Sequence, residues 1–184
     1  LSNGSLIKYY VNHENKVRIV SIQVARSGSL LKIPSKLGGN SVIGIKDRAL
    51  RFGGRSIGIE LPEGLREIGE YAFYRSRFKK IIIPSTVTTI GKNALGGDLI
   101  QEIVMKAPLT SFGEGKIGGV GTTLFYDPEQ KGSTQSEVNR IRRLVHNLRT
   151  INGGLGNESS STIINASRDK IDKSLKGLLD SAAL

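Results

Sequence analysis

Side chains able to do acid–base, nucleophilic or metal chemistry are few in this chain, and their spacing forms no working pattern. His13 and His146 are the only histidines, about 130 positions apart, and there is no cysteine. Disulfides and thiolate metal sites are therefore excluded. Glu60, Glu63, Glu67 and Glu70 cluster in sequence but stand among Lys and Arg, the pattern of a solvated rim rather than of a paired acid and base. The run GEGKIGGVG holds Gly113, Gly115, Gly118, Gly119 and Gly121. A phosphate cradle needs a strand before such a run, then Lys-Ser/Thr and a helix. Here Thr122, Thr123 and Leu124 follow and read as a strand, so the run reads as an irregular turn. No nucleophile elbow, Walker or HExxH pattern occurs. Three sequon matches, at Asn3, Asn157 and Asn165, are short and weakly specific. The chain reads as a non-enzyme, with no catalytic residue, no metal site, no cofactor and no small-molecule substrate.

Charge is the other source of chemistry. The 184 residues carry a net charge of +11, spread along the chain with no basic tail. A spread excess describes a solvated surface with weak affinity for polyanions. Basic residues do recur at one phase: Arg51 and Arg55 follow Leu50, and Arg75, Arg77, Lys79 and Lys80 follow Phe73. Stacked, these six would make one basic ridge, a candidate site for an acidic glycan, a cell-wall polymer or nucleic acid.

Equal phase matters because the chain repeats. Pro62 to Pro84, Ile68 to Ile90 and Phe73 to Leu95 each span 22 positions; Ile45 to Ile68 and Leu50 to Phe73 each span 23. Self-similarity at a fixed period of this size marks a repeat architecture. Within each unit Ile59 and Leu61, Ile81 and Ile83, and Ile103 and Met105 alternate with other residues, the period-2 sign of a short strand. Pro62 and Pro84 lack an N–H and end the pairing. Gly69 and Gly91 follow Ile, where a tight turn is expected. Phe73, Leu95 and Leu50 fill one equivalent interior slot. One strand per unit, stacked in parallel, gives a right-handed coil around an aliphatic core. Strands are expected near 30–33, 57–61, 79–83, 101–105 and 123–126. The count is two full repeats, a longer opening repeat and a degraded closing one. The outward positions of these strands, Lys32, Glu60, Lys80, Ile82, Glu102 and Val104, form a mixed surface suited to a protein partner.

The phrase I-x-I-P-x-x-[VL]-x-x-I-G-x-x-A-[FL], carried by Ile81, Ile83, Pro84, Val87, Ile90, Gly91, Ala94 and Leu95 and by their counterparts from Ile59 to Phe73, resembles the BspA-like leucine-rich repeats. The resemblance covers about residues 6–126. It departs from the family where Tyr74, Arg75 and Ser76 follow the Ala-Phe turn, a place that often holds Cys. It implies an α/β repeat solenoid, a leucine-rich-repeat coil, in a secreted or cell-surface protein engaged in adhesion or protein binding.

The organisation expected is a β-rich lead-in over 1–29, leucine-rich repeats over 30–126, a capping helix within 127–152, and a linker with a second helix over 153–184. Val138, Ile141, Leu144, Val145 and Leu148 lie on one helical face between Ser136 and Arg149, with Ser136 as N-cap, Asn152-Gly153 as stop and His146 beside the stripe. Arg140, Arg142, Arg143 and Arg149 would face water, and the helix would cover the open end of the core. GGLGNESSST reads as a linker. Ile171, Leu175, Leu178 and Leu179 give residues 167–179 an apolar stripe. No stretch reaches the ~18–20 apolar residues of a membrane helix. Leu1 in place of Met marks a trimmed piece, so any signal or anchor would lie outside it.

Overall fold

The computed structural model describes residues 1, 4–24, 30–51 and 58–151. The expected strand positions are strands of one sheet, which has one further strand, and a second sheet holds the rest. In chain order the elements are β1 (Leu6–Val11), β2 (Lys16–Gln23), β3 (Leu30–Lys32), β4 (Lys36–Leu37), β5 (Asn40–Ile45), β6 (Gly58–Glu60), β7 (Glu67–Ile68), β8 (Lys80–Ile83), β9 (Thr89–Ile90), β10 (Glu102–Met105), β11 (Thr123–Tyr126), α1 (Gln135–Arg142) and β12 (Asn147–Thr150). The coil is a parallel β-solenoid of about six turns with little helix.

One sheet runs β12-β11-β10-β8-β6-β3, every pairing parallel. Its middle row, Leu31, Ile59, Ile81, Ile103 and Leu124, points inward and is buried. The other sheet runs β1-β2-β5-β7-β9, with β4 paired to β5. It opens with the antiparallel β1–β2 hairpin and continues in parallel through Ile45, Ile68 and Ile90, ending in a bridge to Phe112. The lead-in is thus a hairpin whose second strand joins the solenoid directly. Phe73 sits at 0% exposure beside Leu50 and Leu95 in the continuous core. Backbone bonds from Leu50 N to Ala72 O (2.8 Å) and from Phe73 N to Ala94 O (2.7 Å) tie that slot turn to turn.

The expected tight turn starts at each glycine after the Ile marker, closed by Ala72 N to Gly69 O (3.3 Å) and Ala94 N to Gly91 O (3.1 Å), but a second constraint requires glycine there. A Cβ on Gly91 would lie 2.6 Å from Glu70 N, and one on Gly69 2.5 Å from Asp47 N. Neither residue has positive φ. Successive coils approach backbone to backbone here, which only a residue without Cβ permits. The left-handed position comes two residues later. Arg48, Tyr71 and Asn93 hold φ of 58°, 54° and 51°, and Gly115 holds 104°. The glycine-rich run falls into the same pattern: Phe112 takes the Ile slot, Gly113 the close approach with its notional Cβ 2.6 Å from Ile90 O, and Ile117 the core slot of Leu95. The closing repeat therefore keeps the period of 22 without its Ile.

The C-terminal helix is shorter than its apolar stripe suggests. α1 stops at Arg142, and Asn147–Thr150 pairs in parallel with β11 as a sixth strand. Thr134, not Ser136, is the N-cap, accepting from Glu137 N at 3.3 Å. Val138, Ile141 and Val145 are buried and Leu144 and Leu148 pack on the core, so the stripe is real. It serves a helix and then a strand, because Leu148 falls inward in both periods. His146 lies in the turn between them. Arg140 does not simply face water: its guanidinium donates to Glu137 at 2.8 Å and to the Phe112 carbonyl at 3.0 Å. The expected stop at Asn152-Gly153, the linker and the 167–179 stripe lie outside the described residues.

Candidate functional site

The alternation of the main sheet turns two rows of side chains outward. One row is Leu30, Gly58, Lys80, Glu102, Thr123, Asn147; the other is Lys32, Glu60, Ile82, Val104, Phe125, Arg149. All six expected strand-face residues fall in these rows. They are paired along them: Lys32 with Glu60 at 3.4 Å and Lys80 with Glu102 at 2.6 Å. Thr123, Phe125, Asn147 and Arg149 complete the face. Phe125 was already legible from the β11 alternation, whereas Asn147 and Arg149 were hidden by the helical reading.

Polarity along the second row is uneven. The Lys32 side chain is 57% exposed. Ile82 and Val104 are each only 2% exposed and form a separate apolar cluster with the partly buried Phe125. At the strand exits, a hollow of about 150 Å³ is lined by Lys32, Glu60, Pro62, Ile82, Pro84 and Lys106. The face thus offers an apolar centre with Lys–Glu pairs beside it.

The basic ridge divides. Arg51 and Arg75 both lie over one residue, 5.8 and 5.5 Å from the Tyr74 ring centroid. Arg48 lies 5.8 Å from the Tyr71 ring, and the two tyrosines meet edge to face at 5.4 Å. Cation–π contacts of this length hold guanidinium groups in place. Arg77 and Lys79 line a hollow of about 470 Å³ with Asp98, Leu99 and Val120, and Arg75 also acts on the Asp98 carboxyl. Lys80 belongs to the sheet face. Arg55 lies outside the described residues.

The four clustered glutamates do not converge. Glu60 pairs with Lys32, Glu63 accepts from the Ser85 hydroxyl at 3.1 Å, and Glu67 hydrogen-bonds Arg18. That last bond holds the Glu67 carboxyl below its ordinary value and raises Arg18. Lys116, bonded to Asp98 at 2.7 Å, lowers the Asp98 carboxyl. Among the described residues no group of three or more His, Asp or Glu side chains is placed to hold a metal, and no helix is long and apolar enough to cross a membrane.

A family model for the BspA type leucine rich repeat region matches residues 32–124 in six copies. No curated protein matches the chain significantly. Among solved structures the chain is similar to a leucine rich cell surface protein from Faecalibacterium prausnitzii A2-165 (20% identity, TM-score 0.43, 78% of this chain and 41% of that one). It is also similar to a leucine rich repeat protein of T. pallidum (14% identity, TM-score 0.42, 94% and 92%). The chain spans less than half the length of the first of these.

Proposed function

The chain belongs to the BspA type leucine rich repeat family, and from that premise we propose that it is a non-catalytic protein-binding module of a secreted or cell-surface protein, engaging its partner through the outer face of the six-stranded sheet. The observation that carries this is the register of the outer rows. Ile82, Val104 and Phe125 line up on adjacent strands as one apolar column, with the Lys32–Glu60 and Lys80–Glu102 pairs beside it. Protein interfaces concentrate binding in such a desolvated centre with a polar rim. The site comprises Lys32, Glu60, Lys80, Ile82, Glu102 and Val104, to which Phe125 and Arg149 are added.

Selection of short peptides from a random display library tests it. Peptides enriched on the protein should carry apolar anchors, lose binding on Val104→Glu, and keep it in high salt. A second reading, binding of an anionic polymer, is favoured by one observation, the three guanidinium groups held around Tyr71 and Tyr74. It requires heparin retention that falls steeply with salt and is lost on charge reversal of Arg75 and Arg77 but not of Arg142 and Arg143. Retention of that kind together with peptides indifferent to Val104→Glu would overturn the protein-binding reading.

A further inference from the structure

Where the strands of the main sheet begin, two repeat positions run side by side. Lys79, Gln101 and Thr123 stand 22 apart. The Gln101 N–H donates to the Lys79 carbonyl and the Thr123 N–H to the Gln101 carbonyl, each at 2.8 Å. Arg77, Leu99 and Gly121 share the phase two residues earlier, with Val120 beside Gly121. The hollow of about 470 Å³ lies among these side chains, and its polarity changes along the coil, from Arg77 and Lys79 at one end to Leu99 and Val120 at the other. Leu99 is 56% exposed and Val120 92%, the most exposed large apolar side chain among the described residues. The turn that carries Val120 is nevertheless tied down. The Gly119 N–H donates to the Thr122 hydroxyl at 2.7 Å, and that hydroxyl donates to the Ile100 carbonyl of the previous turn. A Cβ on Gly119 would lie 2.6 Å from the Asp98 Cα. The backbone is seated on the coil below while the valine stands in water, which costs hydrophobic free energy and adds nothing to the core.

The cations at the other end are equally unmatched. Among the described residues neither the Arg77 nor the Lys79 side chain makes a hydrogen bond, ion pair or ring contact. The one carboxylate lining the hollow, Asp98, is bonded to Lys116 at 2.7 Å and is also acted on by Arg75. A ligand that satisfies the hollow must therefore bring negative charge to one end and apolar surface to the other. We propose that the hollow is a second recognition site of the coil, taking a short acidic segment of a partner protein, with a carboxylate met by Arg77 and Lys79 and an aliphatic or aromatic side chain laid over Leu99 and Val120. A guanidinium fork and an ammonium point charge together suit a carboxylate. The two ends are two strand spacings apart, ~10 Å. In an extended peptide that places the carboxylate within about three residues of the apolar side chain. A uniformly charged polymer would leave Leu99 and Val120 against water. No strand-face residue lines the hollow, so the site is additional to the proposed function and does not rest on it.

The probes are peptides from a display library restricted to Asp, Glu, Leu, Val, Phe, Ser and Gly. The library is selected on the full chain and counter-selected on the Arg77→Ser, Lys79→Ser double variant, and synthetic copies of the retained peptides are titrated by fluorescence anisotropy. Retained peptides should carry Asp or Glu within about three positions of Leu, Val or Phe. Their affinity should fall about tenfold or more on Arg77→Ser with Lys79→Ser, the scale of a lost charge-assisted hydrogen bond. It should also fall about tenfold on Leu99→Ser with Val120→Ser, the scale of the apolar contact removed, and be indifferent to Val104→Glu. All four side chains are exposed, and unchanged thermal unfolding of the double variants shows that the coil is intact. Should Leu99→Ser loosen it, Val120→Ser alone decides. A selection that retains no peptide overturns the inference. So do retained peptides that are acidic throughout and indifferent to the loss of Leu99 and Val120, the mark of a general polyanion surface. The strand-face reading is judged by Val104→Glu, to which these peptides are indifferent, so the two readings fail separately.

Discussion

Replacing Phe73 by alanine tests the register of the whole coil, because its slot is defined by the repeat and by nothing local. The ring is fully buried, meets Phe78 edge to face at 6.1 Å, and sits between Leu50 of the previous turn and Leu95 of the next. A buried Phe removes ~150–250 Å² from water. At ~25 cal/mol per Å² the upper limit of the transfer term is about 4–6 kcal/mol. Alanine keeps part of that burial, and a compact unfolded chain lowers it further. The lost ring contact, about 0.5–1.5 kcal/mol, and the unfilled cavity act in the other direction. The balance is a destabilisation of about 3–5 kcal/mol, the range seen for Phe-to-Ala changes in cores. Against the ~5–15 kcal/mol of a typical domain this is a large fraction. Urea unfolding followed by far-ultraviolet circular dichroism measures it, read as a lower midpoint at unchanged slope. Phe73→Leu, which places the residue of Leu50 and Leu95 in the same slot, should lose much less. A loss below about 1 kcal/mol for Phe73→Ala would refute the slot, since no fully buried ring is that cheap to remove.

Gly91→Ala should destabilise by about 2 kcal/mol or more, because its Cβ would meet the Glu70 backbone at 2.6 Å, contacts that can be relieved only by separating two coils. Gly64→Ala, at φ 96° with open space around it, should cost only the ~1–2 kcal/mol of the left-handed backbone; denaturant midpoints that reverse this order would show that the close approach is absent. Glu67 has a folded-state carboxyl lowered by Arg18, so its contribution is full above the unfolded carboxylate range and is lost as pH falls through the lowered value. The Glu67 side chain is 48% exposed and an exposed pair is worth under ~1 kcal/mol. Glu67→Gln should therefore lower stability slightly at neutral pH and not at all in strong acid, and an undiminished difference in acid would mean that the bond to Arg18 is not its source. Ending the chain before Ser136 removes β12 and the buried Val138 and Ile141, bares the β11 edge, and should yield an aggregating or low-melting protein by light scattering and thermal unfolding. Ending it after Asn152 should shift melting much less.

The coil was legible because its core is written as a period. Ile59, Ile81 and Ile103 sit 22 apart, and residues 22 apart that must share one slot leave few folds open. Phase was also enough to place the outward residues of β3, β6, β8 and β10 that were named as the strand face, since alternation fixes which side each faces. Two things escaped. The closing repeat replaces Ile by Phe112 and Ala by Lys116, so identity fails while size and position hold. The last strand hides in a helical stripe: Val138, Ile141, Leu144, Val145 and Leu148 satisfy a helix throughout, and the break comes from the parallel edge of β11, which offers Asn147–Thr150 a full ladder of hydrogen bonds. Propensity yielded to a tertiary partner invisible in any local window.

The basic positions are spread over more than one repeat phase. Phase places residues on the same turn-to-turn column only when they share a repeat position, and the six cations do not. Arg51 and Arg75 lie one residue out of register, since Leu50 and Phe73 are 23 apart but Arg51 and Arg75 are 24. Both contact the ring of Tyr74. Arg77 and Lys79 line a hollow with Asp98, on which Arg75 also acts, while Lys80 has entered the strand and pairs with Glu102. The strand face suffers no such dispersal, because each of its rows is built from one position repeated on every strand. A surface assembled by the repeat can change its side chains turn by turn while the inward row keeps the core intact. Charge at Lys32 and Glu60 and aliphatic cover at Ile82 and Val104 therefore occupy one row without cost to the fold. That independence is the physical reason to look for this chain's recognition on the sheet.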